Sequence, residues 1–210
     1  MKKVIITIIM TLFFQAFQAE TVAYDSVKYK NKWAVEIDPL IPFALKGIGF
    51  HVFVSPKKLP RFNFGLGIIA NGRLPDFIIN TDAKNKDMGW IYKINQGAGF
   101  EFEYYLKEQN NKWFTGIQLF TEEINITNSN EPSIKQHRTN IGMAVVRFGY
   151  NWQPFKNVRF YAKPWFGLGY TDIISAAFSK DVIPNTQVGN YEYNIQPLTP
   201  FATVHLGYKF

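Results

Sequence analysis

The sequence predicts an all-β chain: a closed antiparallel transmembrane β-barrel of about eight strands, with short turns on one side and longer loops on the other. Three observations predict it. Apolar side chains recur at every second position in eight separate segments, and one parity is apolar in nearly all of them. Phe, Trp and Tyr make up 17% of the chain and 15 residues are glycine, a composition suited to strands and turns. Beyond the first residues, no apolar run approaches the ~20 residues a spanning helix needs.

The chain opens with Lys2 and Lys3 followed by an apolar run from Val4 to Phe14, too short to span a bilayer and of the length of an export leader. A signal peptide over residues 1–19 is expected, with residue 23 as the alternative end, and residues 20–210 as a single barrel domain. The first strand is marked by Trp33, Val35 and Ile37, and the second by Ile48, Phe50, Val52 and Val54. Phe62, Phe64, Leu66 and Ile68 mark the third. Ala98, Phe100, Phe102, Tyr104 and Leu106 mark the fourth, and Trp113, Thr115, Ile117 and Leu119 a weaker fifth. Ala144, Val146, Phe148, Tyr150 and Trp152 mark the sixth, and Val158, Phe160, Ala162, Phe166, Leu168 and Tyr170 the seventh. Pro164 interrupts this seventh strand without changing its phase, so a local distortion without a register shift is expected. Ala202, Val204, Leu206, Tyr208 and Phe210 close the eighth.

Alternation alone does not separate a membrane barrel from a sandwich, because both have one apolar face. The connections and the aromatic residues do. Short turns fall around Pro56, Gln109 to Asn111 and Pro154 to Lys156, whereas the stretches 71–92, 127–139 and 173–196 are long. Trp33, Phe62, Tyr104, Trp113, Tyr150, Trp152, Phe160, Tyr208 and Phe210 share the outward parity and sit beside the short turns or a chain end. That is the placement of an aromatic girdle at a membrane interface.

The closing strand, with Tyr208 two places before a terminal Phe210, resembles the C-terminal signal of bacterial outer-membrane barrels. The architecture is similar to the small eight-stranded members such as the OmpA membrane domain, OmpX and OmpW. The resemblance implies the outer membrane of a Gram-negative bacterium as location. It also implies outer-membrane lipids as surroundings, and assembly machinery that reads Tyr208 and Phe210 during insertion. It does not imply an activity.

The formal net charge of +7 is not a nucleic-acid footprint. Lys57, Lys58, Arg61, Lys107, Lys112 and Lys156 gather at the short turns, where they suit anionic lipid headgroups or simple solvation. With no cysteine, disulfide and thiolate chemistry are excluded. The inward parity carries Glu36, Asp38, Glu101 and Glu103 early and Arg147, Arg159, Lys163 and Lys209 late, an arrangement expected to form a buried ionic network in a filled lumen. His51 and His205, on strands flanking the first, with Glu36 or Asp38 between them, are the candidate catalytic group. Ser55, Ser133, Ser175 and Ser179 lie in no nucleophile motif. Gly97 and Gly99, like Gly167 and Gly169, read as small inward residues, and Gly99→Ser is expected to be mild. The leading expectation is a non-enzymatic anchor whose external loops carry any ligand, with no cofactor and no metal. The alternatives are a barrel enzyme acting on lipid or peptide and a narrow channel for small or hydrophobic solutes.

Overall fold

A computed structural model of the chain describes residues 32–107, 112–134, 137–153, 159–171 and 186–210. The leader, Val158, Ser175, Ser179 and the turn centres at 109–111 and 154–156 lie outside them. Eight strands form one closed sheet: β1 (Lys32–Ile37), β2 (Ile48–Ser55), β3 (Phe62–Arg73), β4 (Trp90–Tyr105), β5 (Lys112–Asn128), β6 (His137–Asn151), β7 (Phe160–Thr171) and β10 (Leu198–Lys209). Each pairs antiparallel with its neighbours in the ring, and β10 returns to β1 through Val35 opposite Tyr208. The Phe210 amide then donates to the Trp33 carbonyl at 2.9 Å. A separate two-stranded hairpin, β8 (Thr186–Val188) with β9 (Tyr191–Tyr193), is not paired into the ring. A single helical turn at Ile41–Leu45 and a short helix α1 (Asp76–Ile79) are additions to the expected all-strand pattern. Neither is long enough to cross a membrane.

On the side of the short turns the expected faces hold. Leu66, Ile68, Phe100, Val146, Phe166 and Leu168 point outward and are more than half exposed, while Glu36, His51, Glu101, Glu103, Arg147, Lys163 and His205 point inward and are buried. Girdle rings pack edge to face at this rim: Trp113 with Tyr150 at 4.9 Å, Phe160 with Tyr208 at 4.9 Å, and Tyr208 with Phe210 at 5.2 Å. Phe62 has the outward parity but is only 2% exposed, its ring 5.2 Å from that of Tyr104.

Toward the long loops the polarity reverses. Outward positions become Arg73, Lys93, Gln96, Glu123, Asn125 and Arg138, while Ile94, Ile124, Ile126 and Ile141 turn inward and are buried. The reversal on β4 depends on a β-bulge: Ile94 faces Ile124, but Gln96 faces Glu123, so Asn95 is an extra residue. Without it, Trp90, Tyr92 and Ile94 would share the outward face of Ala98 and Phe100. Asn71 lies across from Asn95 on β3 in the left-handed region, φ 56°, which asparagine tolerates better than most residues. Asn95 spends its side chain outside, accepting from Asn125 at 3.1 Å and donating to Glu123 at 2.8 Å. The stretches expected as long loops are therefore partly strand: β3, β4, β5 and β6 rise above the bulge as a wall. Ile79, Val188 and Tyr193 from α1 and the hairpin complete a second apolar core against it.

Pro164 acts as its chemistry requires. The β6–β7 ladder runs without a shift to Gly149 opposite Trp165, skips the Pro164 position, and resumes at the bridge between Trp152 and Ala162 in the same register. On the other side Pro164 still faces Val204. The inward glycines, in turn, are seats for rings and backbone. A Cβ on Gly99 would lie 2.5 Å from the Leu119 carbonyl oxygen, so the mild effect expected for Gly99→Ser is corrected to a disruptive one. A Cβ on Gly149 would lie 2.6 Å from the Phe114 ring and 2.7 Å from the Pro164 carbonyl. Backbone cannot yield there. Gly149→Val is expected to lower stability by about 1–3 kcal/mol through overpacking, read as a shifted denaturant midpoint of the refolded barrel.

Candidate functional site

The turn-side half of the lumen is filled by charge. Arg147 (β6), 1% exposed, hydrogen-bonds Glu103 Oε1 at 2.7 Å through Nη2, which also pairs with Glu101 Oε2 at 2.6 Å. Its guanidinium lies 5.4 Å from the Trp165 ring and 6.0 Å from Phe114, and its Nε and Nη1 make no hydrogen bond. Lys163 (β7) bridges Glu36 and, at 2.8 Å, Glu103, with its ammonium 4.0 Å from the Phe53 ring centre. Glu103 is the hub, accepting also from Tyr105 at 3.1 Å and Asn63 at 3.2 Å. Tyr161 donates to Glu36 at 2.5 Å. Burying these ions is costly, and mutual pairing with added hydroxyl and amide donors is what makes it tolerable.

His51 and His205 stack above this layer, ring centres 4.5 Å apart and 26° from parallel. Trp165 Nε1 donates to His205 Nε2 at 3.0 Å, which places the His205 proton on Nδ1, 2.9 Å from Glu36 Oε2. His51 Nδ1 sits 2.5 Å from Glu101 Oε1, and its Nε2 has no partner. The two histidines thus take different carboxylates, a correction to the expected shared acid between them. Gly67 makes this possible, since a Cβ there would lie 2.7 Å from both His51 Nδ1 and Glu101 Oε1. No serine hydroxyl joins them among the described residues: Ser55 is buried and donates to Asn63 at 2.5 Å, and Ser133 is exposed.

Other expected members of the network stand apart from it. Asp38 accepts from Thr203 at 2.7 Å and from the Leu40 amide at 2.9 Å, and its approach to His205 is 3.8 Å. Arg159 is exposed just before β7, where its carbonyl accepts from the Lys209 amide at 3.0 Å. It lies past the rim, where a guanidinium reaches water. Lys209 is also at the rim, bonded to Gln153 at 3.0 Å and 4.8 Å from the Tyr161 ring.

Above the histidines the lumen opens into a vestibule of about 600 Å³, a finding against the expected filled interior. Its floor is His51, His205 and Asp38, and its wall includes Phe120, Ile141, Met143, Val145, Trp165 and Phe201. The helical turn Ile41–Leu45, α1 and residues Tyr193 to Gln196 stand at its loop-side end. That end is tied together by amides: Asn85 donates to the Asn194 carbonyl at 2.8 Å, the Asn194 amide returns to Asn85 at 2.9 Å, and Asn194 Nδ2 donates to Asp82 at 2.5 Å. Partial burial pushes the Asp82 carboxyl up, and the Asn194 and Lys84 hydrogen bonds outweigh it, holding the carboxyl below the usual aspartate range. Glu122, 8% exposed, also lines the vestibule and has no hydrogen bond or ion pair among the described residues. The sequence pattern does not point to it, because the apolar parity that marks the fifth strand ends at Leu119.

No protein-family model matches the chain, and comparison with curated proteins gives no match. Among solved structures it is similar to the N-terminal β-barrel domain of Pseudomonas aeruginosa OprF, at 11% identity over 86% of this chain and 96% of that one, TM-score 0.45. It is similar also to a major outer membrane protein of Thermus thermophilus, at 11% identity over 87% and 100%, TM-score 0.44. Neisserial surface protein A aligns at 8% identity over 85% and 92%, TM-score 0.38. The barrel assignment rests on the chain's own strand pairing.

Removing Arg147 leaves Glu101 and Glu103 short of a counter-charge in a sealed layer. Arg147→Ala is expected to cost about 3–5 kcal/mol in reversible unfolding, with part of the loss recovered in the double variant carrying Glu101→Gln.

Proposed function

We propose that the protein is an integral barrel of a bacterial outer membrane, closed to ions, that anchors an ordered external cap and vestibule. The observation that carries this is the reversal of polarity along the barrel wall. A band of exposed Leu, Ile, Val and Phe, bounded on one side by the aromatic girdle and on the other by Arg73, Lys93, Gln96 and Arg138, fits a hydrocarbon layer between two aqueous faces. Exposed Lys57, Lys58, Lys107 and Lys112 at the short turns suit the headgroups of anionic lipid, at roughly 1 kcal/mol per residue. The same reading takes Tyr208 and Phe210 as the assembly signal and the apolar N-terminal run as a cleaved leader.

The paired ions beneath the histidines support a closed floor rather than a pore. Three of their four ring nitrogens are directed at Glu36, Glu101 and Trp165, and no described nucleophile stands beside them, which favours a structural role over catalysis. The ionic floor should keep the wild-type barrel silent in a planar bilayer, and a steady single-channel current would overturn the closed reading. Leu206→Arg should cost about 2–4 kcal/mol in lipid if the band spans the midplane. Unchanged stability of that variant in vesicles would count against the membrane assignment.

A further inference from the structure

Among the described residues, the vestibule is lined by acids without a matching lysine or arginine. Asp38, Asp82 and Glu122 contribute to it, whereas none of the described lining residues is Lys or Arg, in a chain that carries 23 of them. Asp38 and Asp82 are occupied by hydrogen bonds from their surroundings. Glu122 is not. It projects from β5 opposite Gly97 on one side and Ile141 on the other, with Ile94, Ile124 and Tyr92 buried around the same level. Gly97 is required there, because a Cβ would lie 3.0 Å from Glu122 Cγ and 2.9 Å from the Thr121 carbonyl.

An unpaired carboxylate among apolar groups is expensive, and a matching cation would remove much of that cost. A metal ion is a poor match. Among the described residues no three acidic or histidine side chains converge to hold one, and the walls are mostly hydrocarbon and aromatic. An organic cation with an apolar body meets both requirements: its ammonium faces Glu122, and its body takes the surface of Phe120, Met143, Trp165 and Phe201. We infer that the vestibule binds a small apolar molecule bearing one ammonium group, with Glu122 as its counter-charge. The inference goes beyond the closed-anchor reading and does not depend on it, since the vestibule lies above the ionic floor.

Three isosteric probes separate head-group charge from apolar fit: 1-adamantylamine, 1-adamantanol and adamantane-1-carboxylate. Titration calorimetry on the full refolded barrel in nanodiscs should show the amine binding roughly ten- to a hundredfold more tightly than the alcohol, and the carboxylate more weakly still. Glu122→Gln should bring amine and alcohol to equal affinity. Gln118→Trp, which fills the vestibule from the level of Glu101 and Val145, four residues before Glu122 on β5, should abolish binding of all three, and retained alcohol binding by Glu122→Gln shows that this variant is folded. Equal binding of amine and alcohol by the wild type would overturn the inference. So would a preference that survives Glu122→Gln, amine binding that survives Gln118→Trp, or no binding of the amine at all. A conductance measurement on the same preparation reads the floor independently, so an open barrel and an empty vestibule are distinguishable results.

Discussion

The shared acceptance of Arg147 and Lys163 by Glu103 is the interaction on which the rest of the molecule depends. A small barrel must fill its interior with something, and here the filling is ionic, drawn from strands that are far apart in sequence. Each ion is tolerable only because another strand supplies its partner. The network therefore adds to the backbone ladder in fixing the relative heights of β1, β4, β6 and β7. It also sets the floor on which the two histidines stack, and so the depth at which the vestibule begins.

The second organising fact is that the sheet has one polarity near its turns and the opposite one near its loops. Below the bulge, grease faces out and charge faces in; above it, Ile94, Ile124, Ile126 and Ile141 face in and Lys93, Glu123 and Arg138 face out. A single extra residue, Asn95, lets β4 make the change while keeping its pairing with both neighbours. The loop-side part of the protein is thus built like a water-soluble β-structure on the same strands that supply the exposed apolar band, and its own core holds the hairpin and α1 in place.

Much of this was legible in the residues. All eight strands of the ring, their faces on the side of the short turns, the undisturbed register at Pro164 and the inward placement of Glu36, Glu101, Glu103, Arg147 and Lys163 follow from period two. The upper wall does not. Trp90, Tyr92 and Ile94 have the same parity as Ala98 and Phe100, so alternation puts them on one face. Only three-dimensional pairing reveals that a bulge separates them. On β5 the apolar parity changes from Leu119 to Ile124 with no bulge, which reads as the end of a strand when it is a change of surroundings. Glu122 falls in that transition, and so the vestibule was hidden along with it. The partition of the two histidines between Glu36 and Glu101 depends on depth within the lumen, which sequence spacing does not carry.

The seam between β1 and β10 carries a kinetic consequence. Val35 meets Tyr208, and Trp33 receives the amide of Phe210, so the ring is completed by partners separated by nearly the whole described chain. Every other strand pair in the ring follows the order of the chain and can form without closing so long a loop. This one cannot, and until it forms, two strands are left with unsatisfied edges and Glu36 has no His205 to receive. Folding of such a sheet should be governed by one late, high-contact-order event, with the barrel either sealed all at once or exposed along its whole height.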